Sequence, residues 1–131
     1  MRIDSLRLIN FKGFEDHTFE FPRSVDALPG GNGSFHVLIG QNGRGKTSAL
    51  DALAVAVGSW LLGVRGEDSR HIWSEDIRVK VIQYGDTERI ERQLPVSVEA
   101  QGEVQGHRLT WKRELRSKRT TSALARNIKT F

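Results

Sequence analysis

Residues 35–48 read Phe35-His36-Val37-Leu38-Ile39-Gly40-Gln41-Asn42-Gly43-Arg44-Gly45-Lys46-Thr47-Ser48, and the remaining sequence is best read outward from them. The stretch fits a phosphate-binding loop: Gly, four residues, then Gly-Lys-Thr. Gly40, Gly43 and Gly45 allow backbone turns closed to residues with a Cβ. Their N–H groups can then form a nest for a phosphate anion. Lys46 supplies a point charge for phosphate oxygens, and the Thr47 hydroxyl is the expected Mg²⁺ ligand. The β-branched run 35–39 predicts a buried core strand. Thr47 to about Leu62 predicts a helix, apolar nearly all round and so expected to be buried, with Gly63 closing it. Its N-terminus would add partial positive charge to the loop. Gly40, Gln41, Asn42, Gly43, Arg44, Gly45, Lys46, Thr47 and Ser48 are the candidate nucleotide contacts. A glycine-rich turn with an exposed lysine is the plain alternative, and the order strand, loop, helix argues against it.

Composition bounds the rest. The chain has 131 residues, 27% of them charged and 37% hydrophobic, as in one modest globular domain. With no cysteine, disulfides and thiolate metal sites are excluded. Met1-Arg2-Ile3-Asp4 does not open a secretory signal, and the run Ala49–Leu62 is too short to span a bilayer. The expectation is a cytoplasmic protein without a membrane partner. The net charge of +4 is uneven: residues 108–131 hold eight basic residues and one acid, or +7, which leaves −3 for residues 1–107. A basic tail suits nucleic acid or an acidic partner, and equally a merely solvated end.

Around the loop the pattern is mostly strand-like. Residues 2–8 and 17–21 alternate and predict two paired strands joined through the turn Asn10–Phe14, with Phe19 and Phe21 inward and Pro22 ending the second. Residues 24–34 are rich in Gly, Pro, Asn and Asp and read as a surface loop. Ile77–Tyr84 predicts a strand. Arg89–Ala100 predicts another that Pro95 demotes to an edge, a bulge or a late start. After a turn at Gly102–Gly106, Arg108–Leu115 places Leu109, Trp111, Arg113 and Leu115 on one face, where Arg113 interrupts the apolar pattern. Ser117–Phe131 reads as a linker with a weak helix holding Ala123, Leu124 and Ile128. The four histidines show no metal-ligand spacing.

Taken together, Leu6-Arg7-Leu8-Ile9-Asn10-Phe11-Lys12-Gly13-Phe14, Phe19-Glu20-Phe21 and Val37–Ser48 resemble the N-terminal part of RecF/SMC-like ABC-type ATPases of the AAA family. The closer likeness is to bacterial stand-alone ATP-binding proteins, including those paired with nucleases in Septu-type and retron-linked anti-phage systems. Ser74–Arg78 and Trp111–Arg116 add to it. The resemblance implies an α/β fold: the P-loop NTPase core of an ABC-type head with an antiparallel β-subdomain. Its expected parts are N-terminal strands at 1–22, strand, P-loop and helix at 35–63, antiparallel strands at 77–116, and a basic tail at 117–131. It implies ATP and Mg²⁺ as ligands, with Lys46 and Thr47 at phosphate and metal and Lys12 near the nucleotide. It also implies a dimer of heads that couples ATP hydrolysis to DNA processing or a partner nuclease.

No apolar strand ending in Asp-Glu, no Ser-Gly-Gly signature and no switch histidine occurs in the 131 residues. The expectation is part of a head that binds ATP without turning it over, because hydrolysis needs a positioned water and a second shell for the metal. Asp51 and Asp76 follow no apolar strand, so no catalytic residue can be named. A non-catalytic nucleic-acid-binding or assembly fragment using the basic tail is the second reading. A small P-loop kinase is a third, with less to support it.

Overall fold

The computed structural model describes residues 1–22, 36–41, 45–61, 70–116 and the two-residue strand 129–130. Its strands are β1 (Arg2–Phe11), β2 (Phe14–Glu20), β3 (Val79–Tyr84), β4 (Thr87–Arg92), β5 (Val96–Val104), β6 (His107–Leu115) and β7 (Lys129–Thr130), with one helix, α1 (Lys46–Gly58), continued by a 3₁₀ turn at Ser59–Leu61. The class is α/β with antiparallel sheets. One sheet has the order β2-β1-β5-β6-β7, and β3 and β4 form a separate two-stranded sheet. Every pairing is antiparallel.

The main sheet is built on period-two alternation. Leu6 and Leu8 of β1, Val96, Val98 and Ala100 of β5, and Leu109, Trp111 and Leu115 of β6 are buried on the face that carries α1. In β1 the alternation then skips a residue. Asn10 takes a left-handed φ of 52°, so Phe11, not Asn10, enters the core. The Asn10 side chain instead donates to the Pro95 carbonyl. Where β1 shifts register between Ile3 and Ser5, it crosses β5 so closely that any Cβ at Gly102 would collide with the Arg2 carbonyl. The helix rests on this face through Ala52, Val55 and Ala56, whose small side chains allow close approach. Trp111 Nε1 donates 2.9 Å to the Ala56 carbonyl and its ring meets Trp60 edge-on. Indole burial and a satisfied indole N–H thus coincide at one residue.

Several expectations need correction. The predicted strand at 35–39 is not formed: residues 36–40 have no strand pairing, and Ile39 is 90% exposed. A parallel core strand requires neighbours on both edges, and among the described residues none runs beside this segment. The helix is not buried all round. Leu50, Ala54, Val57 and Leu61 form an exposed stripe at helical spacing, because the sheet covers one side of α1. The Arg89–Ala100 run divides into β4 and β5, with Pro95 in the connection after a cis bond from Leu94. Proline has no N–H for the ladder, so the run breaks there. The turn predicted over Gly102–Gly106 narrows to Gln105 and Gly106, since β5 continues through Val104. Of the expected linker and helix at the end, Lys129–Thr130 is a strand paired with β6. Ala123, Leu124 and Ile128, the loop 24–34 and Gly63 lie outside the described residues.

Candidate functional site at the start of α1

Aromatic side chains of β2, and Phe21 just after it, lie against both ends of the loop. Phe14, His17, Phe19 and Phe21 form a run of stacked and edge-on rings that continues to His36 just before the loop. At the other end, Phe14 lies against Gly45: a Cβ there would sit 2.9 Å from the Phe14 ring. Gly45 also has φ 93°, which residues with a side chain rarely adopt. Glycine is therefore required twice over, once by the backbone angle and once by the ring.

Gly45 is the N-cap of α1, and among the described residues no side chain caps the helix start. Neither is there an acidic residue in the first turn. A helix start of this kind can offer N–H donors and the positive end of its dipole to an anion. Lys46 folds back across the loop and its ammonium group donates to the Gly40 carbonyl. Gly40 and Gln41 are exposed, Thr47, the second residue of α1, is exposed, and Ser48 is half-buried. Asn42, Gly43 and Arg44 lie outside the described residues.

A chain like this one belongs to a recognisable group. A family model for the AAA domain matches residues 5–131. The protein belongs to the AAA domain family. The family is one of nucleotide-binding ATPases, which accounts for a glycine-rich loop opening a helix. No curated protein matches the chain.

Beside this AAA-domain loop lies a charged cluster that the linear sequence hides. Lys12, held at φ 50° in the β1–β2 turn, donates 2.5 Å to Asp51 on α1 and lies 3.7 Å from Asp76. Its backbone N–H donates to the Asp76 carbonyl at 2.6 Å. Asp76 is 1% exposed and accepts from both Arg70 nitrogens, at 2.7 and 3.0 Å, and from the Trp73 N–H at 2.8 Å. The bidentate bond to Asp76 keeps the Arg70 guanidinium pKa above its ordinary value against the opposing effect of burial. Arg70 also lies 3.8 Å over the Trp73 ring. Arg113, which broke the apolar pattern of β6, is buried and meets His71 Nδ1 at 3.0 Å.

The family resemblance implies Lys12 near the nucleotide but says nothing of the carboxylates it meets here. One signal was available: an acid within an apolar helix, here Asp51, needs a cation. Asp76 gave no such signal, because its ring of partners comes from one loop and the β1–β2 turn. Among the described residues no group of three or more His, Asp or Glu side chains could hold a metal. No helix there is long and apolar enough to cross a membrane. The basic tail expected over residues 117–131 lies outside the described residues except for the strand at 129–130. Lys112 and Arg116 both pair with Glu114, and Arg113 is internal.

Proposed function

We propose that residues 40–48 form a P-loop that binds the phosphates of ATP together with Mg²⁺. The single observation that supports this most is Lys46 folded over the loop onto the Gly40 carbonyl, at a helix start with no side-chain cap among the described residues. That bond parks the ammonium group where a phosphate would compete for it. Backbone N–H groups of Gly45 and the first turn of α1 supply directional donors, Lys46 the charge, and the Thr47 hydroxyl a metal ligand. ATP itself brings the transferable phosphoryl group, and catalysis of its transfer rests on positioning and charge stabilisation. Asp51 and Asp76 are each engaged by cations, which leaves neither as a ready base for water. By its resemblance to RecF/SMC-like ABC-type ATPases, the domain is proposed to act within a dimer of heads, coupled to DNA processing or to a defence nuclease.

Calorimetry with Mg-ATP on the wild type and Lys46→Ala tests the binding step. Lys46 points at the loop and not into the core, so the variant should fold normally and bind at least about a hundredfold more weakly. Equal affinity in the two proteins would remove the assignment.

A further inference from the structure

The β3–β4 hairpin stands outside the main sheet and is only two strands wide. A two-stranded ribbon is marginal by itself, and three or more strands are needed for independent stability. One of its faces carries three exposed apolar side chains beside Gln83, Glu88 and Arg92. Val81 is directly opposite Ile90, with Val79 two residues along, and these three are 51–69% exposed. Among the described residues β4 has β3 on one edge and no strand on the other. The sequence of that edge strand is Thr87-Glu88-Arg89-Ile90-Glu91-Arg92.

This sequence is complementary to itself when read backwards. In an antiparallel pairing centred on Ile90, Arg89 falls opposite Glu91 of the second copy, and Glu88 opposite Arg92 of the second copy. The two-fold axis repeats both pairs, and Ile90 faces Ile90 of the second copy. No like charges meet. Shifting the register by two residues, which preserves the faces, destroys the match: Arg92 then falls opposite Ile90 of the second copy. In the single chain, among the described residues, Arg89 pairs with Glu91 on its own strand, at 3.8 Å.

We propose that the free edge of β4 pairs with β4 of a second copy of this chain, antiparallel about a two-fold axis at Ile90. The product is a four-stranded sheet in the order β3-β4-β4-β3. One face carries a continuous apolar row of Val81, Ile90 and their two counterparts. Its other face carries Lys80, Glu91 and then Arg89 of the second copy, alternating in sign across the strands. An interface of this kind is isologous, so one patch serves both copies and the assembly closes at two. Cross-strand opposite charges stabilise an edge pairing and like charges oppose it, which sets the register. Edge charges usually prevent pairing with other chains; their inverted order here favours one partner, the same strand. The interface uses none of residues 40–48 and is independent of the nucleotide reading.

The test is sedimentation equilibrium on the full chain and two charge variants. One variant carries Arg89→Glu and Arg92→Glu, the other Glu88→Arg and Glu91→Arg. The wild type should be a concentration-dependent dimer. Each variant alone should dissociate at least about tenfold more readily, because its edges repel. An equimolar mixture of the two should dimerise again, since each acid then meets a base. Dimerisation of the mixture separates the proposal from simple misfolding of a variant. A monomeric wild type, variants that dimerise as the wild type does, or a mixture that stays monomeric would each overturn it.

Discussion

The ammonium group of Lys12 donates to Asp51 Oδ2 at 2.5 Å, fastening the β1–β2 turn to the helix that follows the phosphate loop. Asp51 sits five residues beyond Lys46, roughly 7.5 Å along the helix axis. Its carboxylate is the negative charge on α1 nearest in sequence to the proposed anion site, and Lys12 offsets it. Removing the carboxylate leaves a net gain of one positive charge beside the loop. Asp51→Asn should therefore tighten Mg-ATP binding about two- to threefold, the Coulomb energy of one charge at that range in water-like surroundings. Titration calorimetry at low and high salt checks this. Weaker binding by Asp51→Asn would mean that the Lys12–Asp51 pair positions the loop.

Gly45→Ala should destabilise the fold by about 1–2 kcal/mol from the left-handed backbone alone. A further increment should come from the 2.9 Å approach to Phe14. Adding Phe14→Ala to Gly45→Ala removes the steric part and leaves the backbone part. Urea unfolding of the four proteins in this cycle measures the coupling. Strict additivity would show that Phe14 does not press on residue 45.

The paired first strands and the helix were legible because each has a strong local signature: alternation at Leu6 and Leu8, and a long apolar run after Thr47. Local signatures fail where neighbours decide. Val37-Leu38-Ile39 has strand composition, yet a strand exists only as a paired object, and no strand runs beside it among the described residues. The helix looked buried on all sides because composition cannot say how many faces are covered. Around the start of α1, spacing singles out Lys46 and Gly45 as candidates, whereas it gives no reason to pair Arg70 with Asp76. Their pairing depends on a turn at Ser74–Asp76 that brings Lys12 and Trp73 onto one carboxylate.

That carboxylate should be expensive to lose. Asp76→Asn keeps the shape but leaves Arg70, whose side chain is 15% exposed, without its counter-charge. A cost of about 3 kcal/mol is expected for breaking one side of such a pair. Replacing both partners, as Arg70→Met with Asp76→Asn, should cost less than Asp76→Asn alone, because no uncompensated charge remains. Denaturant midpoints at neutral pH decide the matter. A double variant less stable than Asp76→Asn would show that Arg70 contributes mainly through its packing on Trp73.

Glu114 supplies the pH-dependent prediction. Burial pushes its carboxyl pKa up, but the hydrogen bonds and charges of Lys112 and Arg116, each at 3.2 Å, outweigh that and hold it below its ordinary value of 4.5. A carboxylate with a depressed folded-state pKa binds protons more readily when unfolded. Its contribution to stability is therefore complete above the unfolded value and is lost as pH falls through the folded one. Both cations are partly exposed, so the contribution at neutral pH should be about 1 kcal/mol. Glu114→Gln should lower stability by that amount at pH 7. The gap between wild type and variant should close as pH falls below the ordinary value of 4.5 and through the lower folded one. Urea unfolding across this pH range checks the sign as well as the size. A gap that persists unchanged into acid would show that Glu114 acts through its neutral hydrogen bonds, and that its charge has no part in holding the end of β6.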